Sequence, residues 1–534
     1  MQTQLLLADE AIAQGAIDGG LSGVYAYPGT PSTEITEYIQ NSKEAQERGI
    51  HSRWSSNEKT AMESALGMAY AGKHTLVCMK HVGMNVAADA FMNAAITGVN
   101  GGMLVLAADD PSMHSSQNEQ DSRYYAQFAL LPILEPSNQQ EAYDMAYEGL
   151  ALSEKLGYPI LLRITTRLAH SRSTVTRRPQ KAQNPISLPK EPKRFVLLPA
   201  IARNRYQILL DNQKTFEEQS ENSIYNKYID GKNKKLGIIA CGIGYNYLME
   251  NFAGLEYPVL KIGQYPLPRR LVEKLENECD EILVFEDGYP LVESALKGYF
   301  AKGKTIRGRL DGTLPRAGEL TPDNVAQAVG AGRALPLRTP TTAVAPRPPA
   351  LCLGCGHRDV YEALNEVIRT YEHGSARVFA DIGCYTLGAL PPFGAISTCI
   401  DMGASITMAK GAADAGFTPS LAIIGDSTFT HSGMTGLLDA VNENSPITVI
   451  ISDNETTAMT GGQDSAGTGK IEAICAGLGV LPEHIRVFVP LKKNFEEMKQ
   501  VIKEELEYNG VSVIIPRRDC IQTLKRDIYA KNSW

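Results

Sequence analysis

The chain has no run of about 18 uncharged apolar residues, so it contains no expected transmembrane helix. Its opening, Met1-Gln-Thr-Gln-Leu-Leu-Leu-Ala-Asp-Glu, has no basic stretch and no sustained apolar core, and does not read as a secretory signal. There is no basic excess either. Lys plus Arg is 52 against 60 Asp plus Glu, a net charge of −8. That balance excludes a dedicated nucleic-acid binder, while leaving room for anions held by local geometry. Nine cysteines, an odd number with no export signal, argue against a disulfide framework. The expected setting is a reducing cytoplasm, with free thiols available to a metal. No short-period repeat is present. What remains is ordinary globular composition, 43% hydrophobic and 21% charged over 534 residues. That is enough chain for about three to four domains, and it excludes disorder and a small stapled scaffold.

Two stretches read as connections. Residues 171–194 hold seven basic residues, one acidic residue and four prolines, a poor helix or strand and most simply a solvated crossover. Residues 331–350 hold five prolines and read as an extended linker. Three blocks result, each alternating helical and strand-like patterns: 1–170, 235–330 and 351–534. Residues 171–234 form a linker and an irregular polar helical region. Buried parallel strands are expected at runs such as Thr75-Leu-Val-Cys-Met, Met103-Leu-Val-Leu-Ala-Ala, Leu236-Gly-Ile-Ile-Ala-Cys and Leu421-Ala-Ile-Ile-Gly-Asp. The alternation implies an α/β protein with three doubly wound parallel-sheet domains. In such sheets ligands bind beyond the carboxyl ends of the strands.

The most informative segment is 425–462. An apolar strand ends in Gly425-Asp426-Ser427, a glycine-containing helix follows, and a second strand ends in Ser452-Asp453-Asn454-Glu455-Thr456-Thr457. The strand ends lie about 27 residues apart, suiting a right-handed crossover between neighbouring strands. That would bring Asp426 and Asn454 to one sheet edge. A carboxylate beside an amide oxygen is a hard-oxygen pair suited to Mg²⁺, which completes its octahedron with phosphate oxygens. The pattern resembles the thiamine diphosphate signature, Gly-Asp-Gly followed after 25–30 residues by Asn, with Ser427 replacing the second Gly. The resemblance implies that Asp426 and Asn454 ligate Mg²⁺ through side chains and Thr456 through its carbonyl. Gly425, Ser427, Thr460, Gly461 and Gly462 would contact the cofactor, the last three through backbone N–H groups at the diphosphate.

In the N-terminal block, Tyr27-Pro-Gly-Thr-Pro-Ser-Thr-Glu-Ile is a loop leading into a helix. Ser32 or Thr33 is its expected cap, and Pro31 suits an early position. Glu58 follows where an extended segment turns into a second helix. Position alone makes it a helix-start glutamate favoured by the dipole. Thiamine chemistry requires one buried carboxyl that hydrogen-bonds the aminopyrimidine ring and promotes its imino tautomer. Within the motif context Glu58 is the expected residue.

Taken together, these motifs and the segments at 57–72, 79–89, 107–123, 352–358 and 381–388 resemble the large (alpha) subunit of the indolepyruvate ferredoxin oxidoreductases, across nearly the whole chain. This is a branch of the 2-oxoacid:ferredoxin oxidoreductases. The resemblance implies a pyrimidine-binding domain at 1–170, a transketolase-C-like domain at 235–330 and a diphosphate- and Mg²⁺-binding domain at 351–534. It also implies that Thr30 contacts substrate. His81, Asn85, His114, Ser115 and His431 lie in family motifs and are second-rank candidates.

Cys352 and Cys355 form a C-x₂-C pair, Cys384 lies in Ile382-Gly-Cys, and Cys520 follows the last expected strand. In related enzymes such a set holds one [4Fe-4S] cluster, and four thiolates suit it. A structural zinc or four free thiols are the competing readings. The family's large subunit usually ends in a ferredoxin-like module rich in cysteine, and no C-x₂-C-x₂-C run is present here. Electrons would then leave through one proximal cluster, or the chain is shortened, or its redox chemistry differs.

The expected activity is thiamine diphosphate-dependent oxidative decarboxylation of an aryl 2-oxoacid to an acyl-coenzyme A. Electrons would pass to a ferredoxin-like acceptor, and a small second subunit would help complete the site in an oligomer. The rivals are a non-oxidative 2-oxoacid decarboxylase and a non-catalytic subunit that only binds a partner. Neither nucleic acid nor membrane is an expected partner.

Overall fold

The computed structural model describes residues 2–251, 254–299, 303–330, 345 and 349–531. Apart from residues 345, 349 and 350, the proline-rich connection expected at 331–350 lies outside them. The chain divides into two compact units, Met1–Thr339 and Pro340–Trp534.

The first unit carries two sheets. The larger has seven strands in the order Gln264–Tyr265, Ile133–Leu134, Ile160–Thr165, Met103–Asp109, Thr75–Lys80, Gly23–Ala26 and His51–Trp54. All neighbours are parallel except the first pair. Thr75–Lys80, Met103–Asp109 and Ile160–Thr165 are buried at every position, as strands covered on both faces must be. Alternate side chains feed opposite cores: Leu76, Leu104 and Leu162 one, Val77, Val105 and Leu161 the other. The smaller sheet has five strands: Thr305–Arg307, Glu281–Phe285, Leu236–Cys241, Val259–Ile262 and the antiparallel edge strand Lys227–Ile229.

These two sheets share their interiors. Ile238 and Leu283 join the core that holds Leu76, while Ile239 and Val284 join the core that holds Val77. Gln264–Tyr265, from the middle sequence block, also pairs with Ile133–Leu134 as the edge strand of the N-terminal sheet. A buried ionic cluster adds polar ties. Arg163 donates to Asp109 (2.6 Å) and to the Asp287 carbonyl (2.7 Å), and Arg123 donates to the Tyr289 carbonyl (2.9 Å) and lies 3.1 Å from Glu286.

The connecting region departs from expectation in its first part and is more regular than expected in its second. Arg172–Thr176 is a strand, antiparallel to Thr3–Leu7. Its partner lies at the opposite end of the block, so no local pattern announced it. The polar region after residue 195 is mostly one long helix, Pro199–Glu221, which buries Leu209 and Phe216. Two of the basic residues of 171–194 tie the segment to the rest of the unit. Arg177 pairs with Asp18 and Glu44, both at 2.7 Å, and Lys181 with Glu148 at 3.0 Å.

The second unit holds a fully parallel five-stranded sheet in the order Val378–Ala380, Ser420–Gly425, Ile447–Ser452, Ser512–Pro516 and Ile485–Phe488. Leu421 and Ile423 face one core, Ala422 and Ile424 the other. The protein is thus an α/β molecule of doubly wound parallel sheets. Among the described residues no helix is long and apolar enough to cross a membrane.

Candidate active site

In the second unit, Ser420–Gly425 and Ile447–Ser452 are adjacent parallel strands, with Gly425 opposite Ser452. Asp426 is therefore one residue beyond one strand and Asn454 two beyond its neighbour, at the same carboxyl edge. The loops are tied together by the Ser427 and Thr457 hydroxyls, 2.9 Å apart. Asn454 Oδ1 accepts from the Thr456 N–H at 3.2 Å, and Thr460 Oγ1 donates to Gln463 Oε1 at 2.5 Å. Gly461 and Gly462 have φ of 125° and 87°, a region that favours glycine. A turn from Phe429 to Gly433 is π-helical, an irregularity common at functional sites. It carries the buried His431, whose Nδ1 is 2.6 Å from Ser432 Oγ.

Asp426 is buried, and its Oδ2 has no hydrogen-bond partner. Burial pushes its pKa up to about 7, against the lowering effect of a hydrogen bond with Ser465. A buried carboxylate oxygen with no donor is costly unless a cation compensates it. The adjacent strand end carries the amide oxygen of Asn454, and a carboxylate with an amide oxygen is a donor chemistry that fits Mg²⁺.

The four cysteines singled out by spacing do meet. Cys352, Cys355, Cys384 and Cys520 line one cavity, together with Asp453 and Asn454. Burial, and then the neighbouring Cys355, Cys520 and Cys352, push the Cys384 thiol up to about 12. The Cys520 N–H donates to the Asn454 carbonyl at 3.2 Å, joining this cavity to the Asp426 edge.

In the first unit Glu58 opens the helix Glu58–Tyr70 and is buried. Asn57 caps that helix by accepting from the Thr60 N–H at 2.8 Å. The Glu58 carboxyl packs on Gly83, where a Cβ would come within 2.7 Å of Glu58 Oε1. The loop carrying Thr30 is fastened by the Gly29 N–H, which donates to Thr33 Oγ1 (3.0 Å), and by Ser32 Oγ, which donates to the Gly29 carbonyl (2.8 Å). Neither hydroxyl caps the helix Thr33–Asn41 as expected, because both are spent on this loop. His81 is buried, its Nε2 3.2 Å from the Asn118 carbonyl, and burial lowers its pKa. His114 is exposed and sits 3.3 Å from Glu319. Tyr125 donates to Asn85 Oδ1, and the Ser115 N–H donates to Asp110 Oδ2 at 2.8 Å.

Two charged groups at these edges escaped the sequence reading. Lys80 ends a buried strand and donates to the Ser115 carbonyl, and burial lowers its pKa to about 8. Asp381 follows Val378–Ala380 and accepts from Tyr385, from the Gly403 N–H at 3.0 Å and from Ser405 Oγ at 2.7 Å. Its segment, 381–388, carries the family resemblance and the candidate Cys384, but assigns Asp381 no role. A carboxylate at a strand end was the available signal.

Two family models match: the pyruvate flavodoxin/ferredoxin oxidoreductase thiamine diphosphate-binding family over residues 14–228, and the thiamine pyrophosphate enzyme C-terminal TPP-binding domain over residues 381–515. The indolepyruvate oxidoreductase subunit IorA of Methanothermobacter thermautotrophicus is 39% identical, over 97% of this chain and 86% of that protein. The subunit of the same name from Archaeoglobus fulgidus is 39% identical, over 96% and 86%. A solved 2-oxoglutarate:ferredoxin oxidoreductase from Magnetococcus marinus superposes with a TM-score of 0.50 and 17% identity, over 61% of this chain and 65% of that chain, a likeness of fold. A Gly-Asp strand end with an uncompensated buried carboxylate, on a chain this close to those subunits, leads to one conclusion: the chain belongs to the indolepyruvate oxidoreductase IorA family of thiamine diphosphate enzymes.

Proposed function

We propose that this chain is the thiamine diphosphate-binding subunit of an oxidoreductase that oxidatively decarboxylates an aryl 2-oxoacid of the indolepyruvate type. The observation that carries the reading is Asp426, buried at a strand end with Oδ2 unpartnered and Asn454 on the adjacent strand end. Asp426, Asn454 and the Thr456 carbonyl would hold Mg²⁺. Backbone N–H groups at Thr460, Gly461 and Gly462 would receive the diphosphate, beside Gly425 and Ser427. When bound, thiamine diphosphate supplies a carbon nucleophile and an electron sink for loss of CO₂. Glu58, buried at the start of its helix, would hydrogen-bond the aminopyrimidine ring. Thr30, His81, His114 and His431 are proposed to position the oxoacid.

Cys352, Cys355, Cys384 and Cys520 would hold a single [4Fe-4S] cluster, a one-electron acceptor close to the Asp426 edge. Their convergence in one cavity favours the oxidative reading over a decarboxylase that releases aldehyde. Coenzyme A as acyl acceptor, a ferredoxin-like electron acceptor, a small second subunit, an oligomeric assembly and a cytoplasmic location complete the proposal. The test is anaerobic turnover of indolepyruvate with coenzyme A and a viologen dye, with the partner subunit present. Dye reduction with acyl-coenzyme A formation is expected. Aldehyde without dye reduction supports the non-oxidative rival, and absence of both, with no calorimetric binding of thiamine diphosphate plus Mg²⁺, supports the non-catalytic one.

A further inference from the structure

The first unit holds a second group of metal-ligating side chains, away from those discussed so far. Asp9, Glu34 and His170 each place a ligand atom within 4.8 Å of the other two. They come from three elements: the first turns of helices Ala8–Asp18 and Thr33–Asn41, and the residue after Thr166–Ala169. Asp9 is fully buried, yet neither of its carboxylate oxygens has a hydrogen-bond partner. Glu34 Oε2 is likewise buried and unpartnered, and Glu34 Oε1 lies 3.5 Å from His170 Nε2. Two carboxylates at this separation repel, and a single imidazole does not neutralise both. Nearby charges are otherwise engaged: Glu10 accepts from the Leu7 N–H at 2.8 Å, and Arg177 pairs with Asp18 and Glu44.

We propose that Asp9, Glu34 and His170 bind a divalent transition-metal ion of borderline softness, such as Zn²⁺. One imidazole with two carboxylates is a donor set for Zn²⁺, Mn²⁺ or Fe²⁺ and contains no thiolate. Bonds of about 2.0–2.2 Å to a tetrahedral ion require ligand atoms roughly 3.3–3.6 Å apart, a separation Glu34 and His170 already have from each other. Loading therefore draws in Glu34 and His170, whose side chains are 37% and 38% exposed, toward the fixed Asp9. Water fills the fourth position. An acidic cleft lined by Glu10, Glu34, Glu37 and Tyr38 gives the ion a way in. The ion pins the helix that follows the Thr30 loop to the N-terminal helix, so it acts as a positioning group and takes no part in the reaction.

The full chain is treated with iodoacetamide to block accessible thiols, loaded with Zn²⁺, desalted and assayed for metal. Wild type is expected to retain one equivalent more than Glu34→Gln or His170→Ala. Zn²⁺ is also expected to raise the melting temperature of wild type and not of either variant. Glu34→Gln keeps the shape of the side chain, so it reports on ligation even if His170→Ala folds poorly. Equal zinc content in wild type and Glu34→Gln, or no melting shift in wild type, overturns the proposal. The readout is independent of turnover and of thiamine diphosphate.

Discussion

Gly83 has no side chain, and the carboxyl of Glu58 occupies the space one would fill. Glu58→Gln is expected to retain thiamine diphosphate binding by calorimetry while turnover of indolepyruvate falls about 10²–10⁴-fold, the usual range for a lost proton-transfer group. Asp426→Ala acts differently. It is expected to abolish Mg²⁺-dependent cofactor binding in the same calorimeter, because Asp426 carries the uncompensated charge. Candidates of this kind stand out in the sequence because each sits in a short motif at a strand or helix end; for Glu58 it is the motif context, and not its position, that suggests the chemistry. Asp381 and Lys80 do not stand out in this way: apart from Tyr385, the partners given for them lie about 22 to 35 residues away, and only the fold brings them together.

Among the elements, the crossover from Ser420–Gly425 to Ile447–Ser452 was readable in full. Two apolar runs at the right separation, joined by one helix, have a single favoured arrangement. Gly425 is fixed by more than the motif. A Cβ there would lie 2.8 Å from the Tyr385 ring. Gly425→Ala is expected to destabilise the protein by about 1–3 kcal/mol, an overpacking cost, measured by urea unfolding. Tyr385→Phe should not relieve it, because the ring edge and not the hydroxyl makes the contact. The strand Arg172–Thr176 was hidden for the opposite reason. Its exposed Arg-Ser-Thr start looks like a linker, and the ladder that defines it joins Thr3 to Thr176.

For the molecule as a whole, the sheet class followed from alternation alone, whereas the merging of the first two sheets did not. Shared cores and buried ion pairs have no periodicity to read. Asp287, in that cluster, accepts from the Leu320 N–H at 2.9 Å, and burial pushes its pKa up to about 6. The folded value exceeds the unfolded one, so the native state holds its proton more tightly, and stability falls as pH rises from about 4 through 6. Asp287→Asn is expected to remove that decline, a difference on the order of 3 kcal/mol, visible as converging wild-type and variant unfolding curves at pH 4. Because Gln264–Tyr265 closes the sheet that Ile133–Leu134 would otherwise leave open, a gene cut after codon 234 should not yield a usable fragment. The truncated product would display a raw hydrogen-bonding rim, deprive Arg163 of the Asp287 carbonyl and Arg123 of Glu286 and the Tyr289 carbonyl, and it should precipitate on expression. Co-expressing the missing piece in trans should restore it to the soluble fraction.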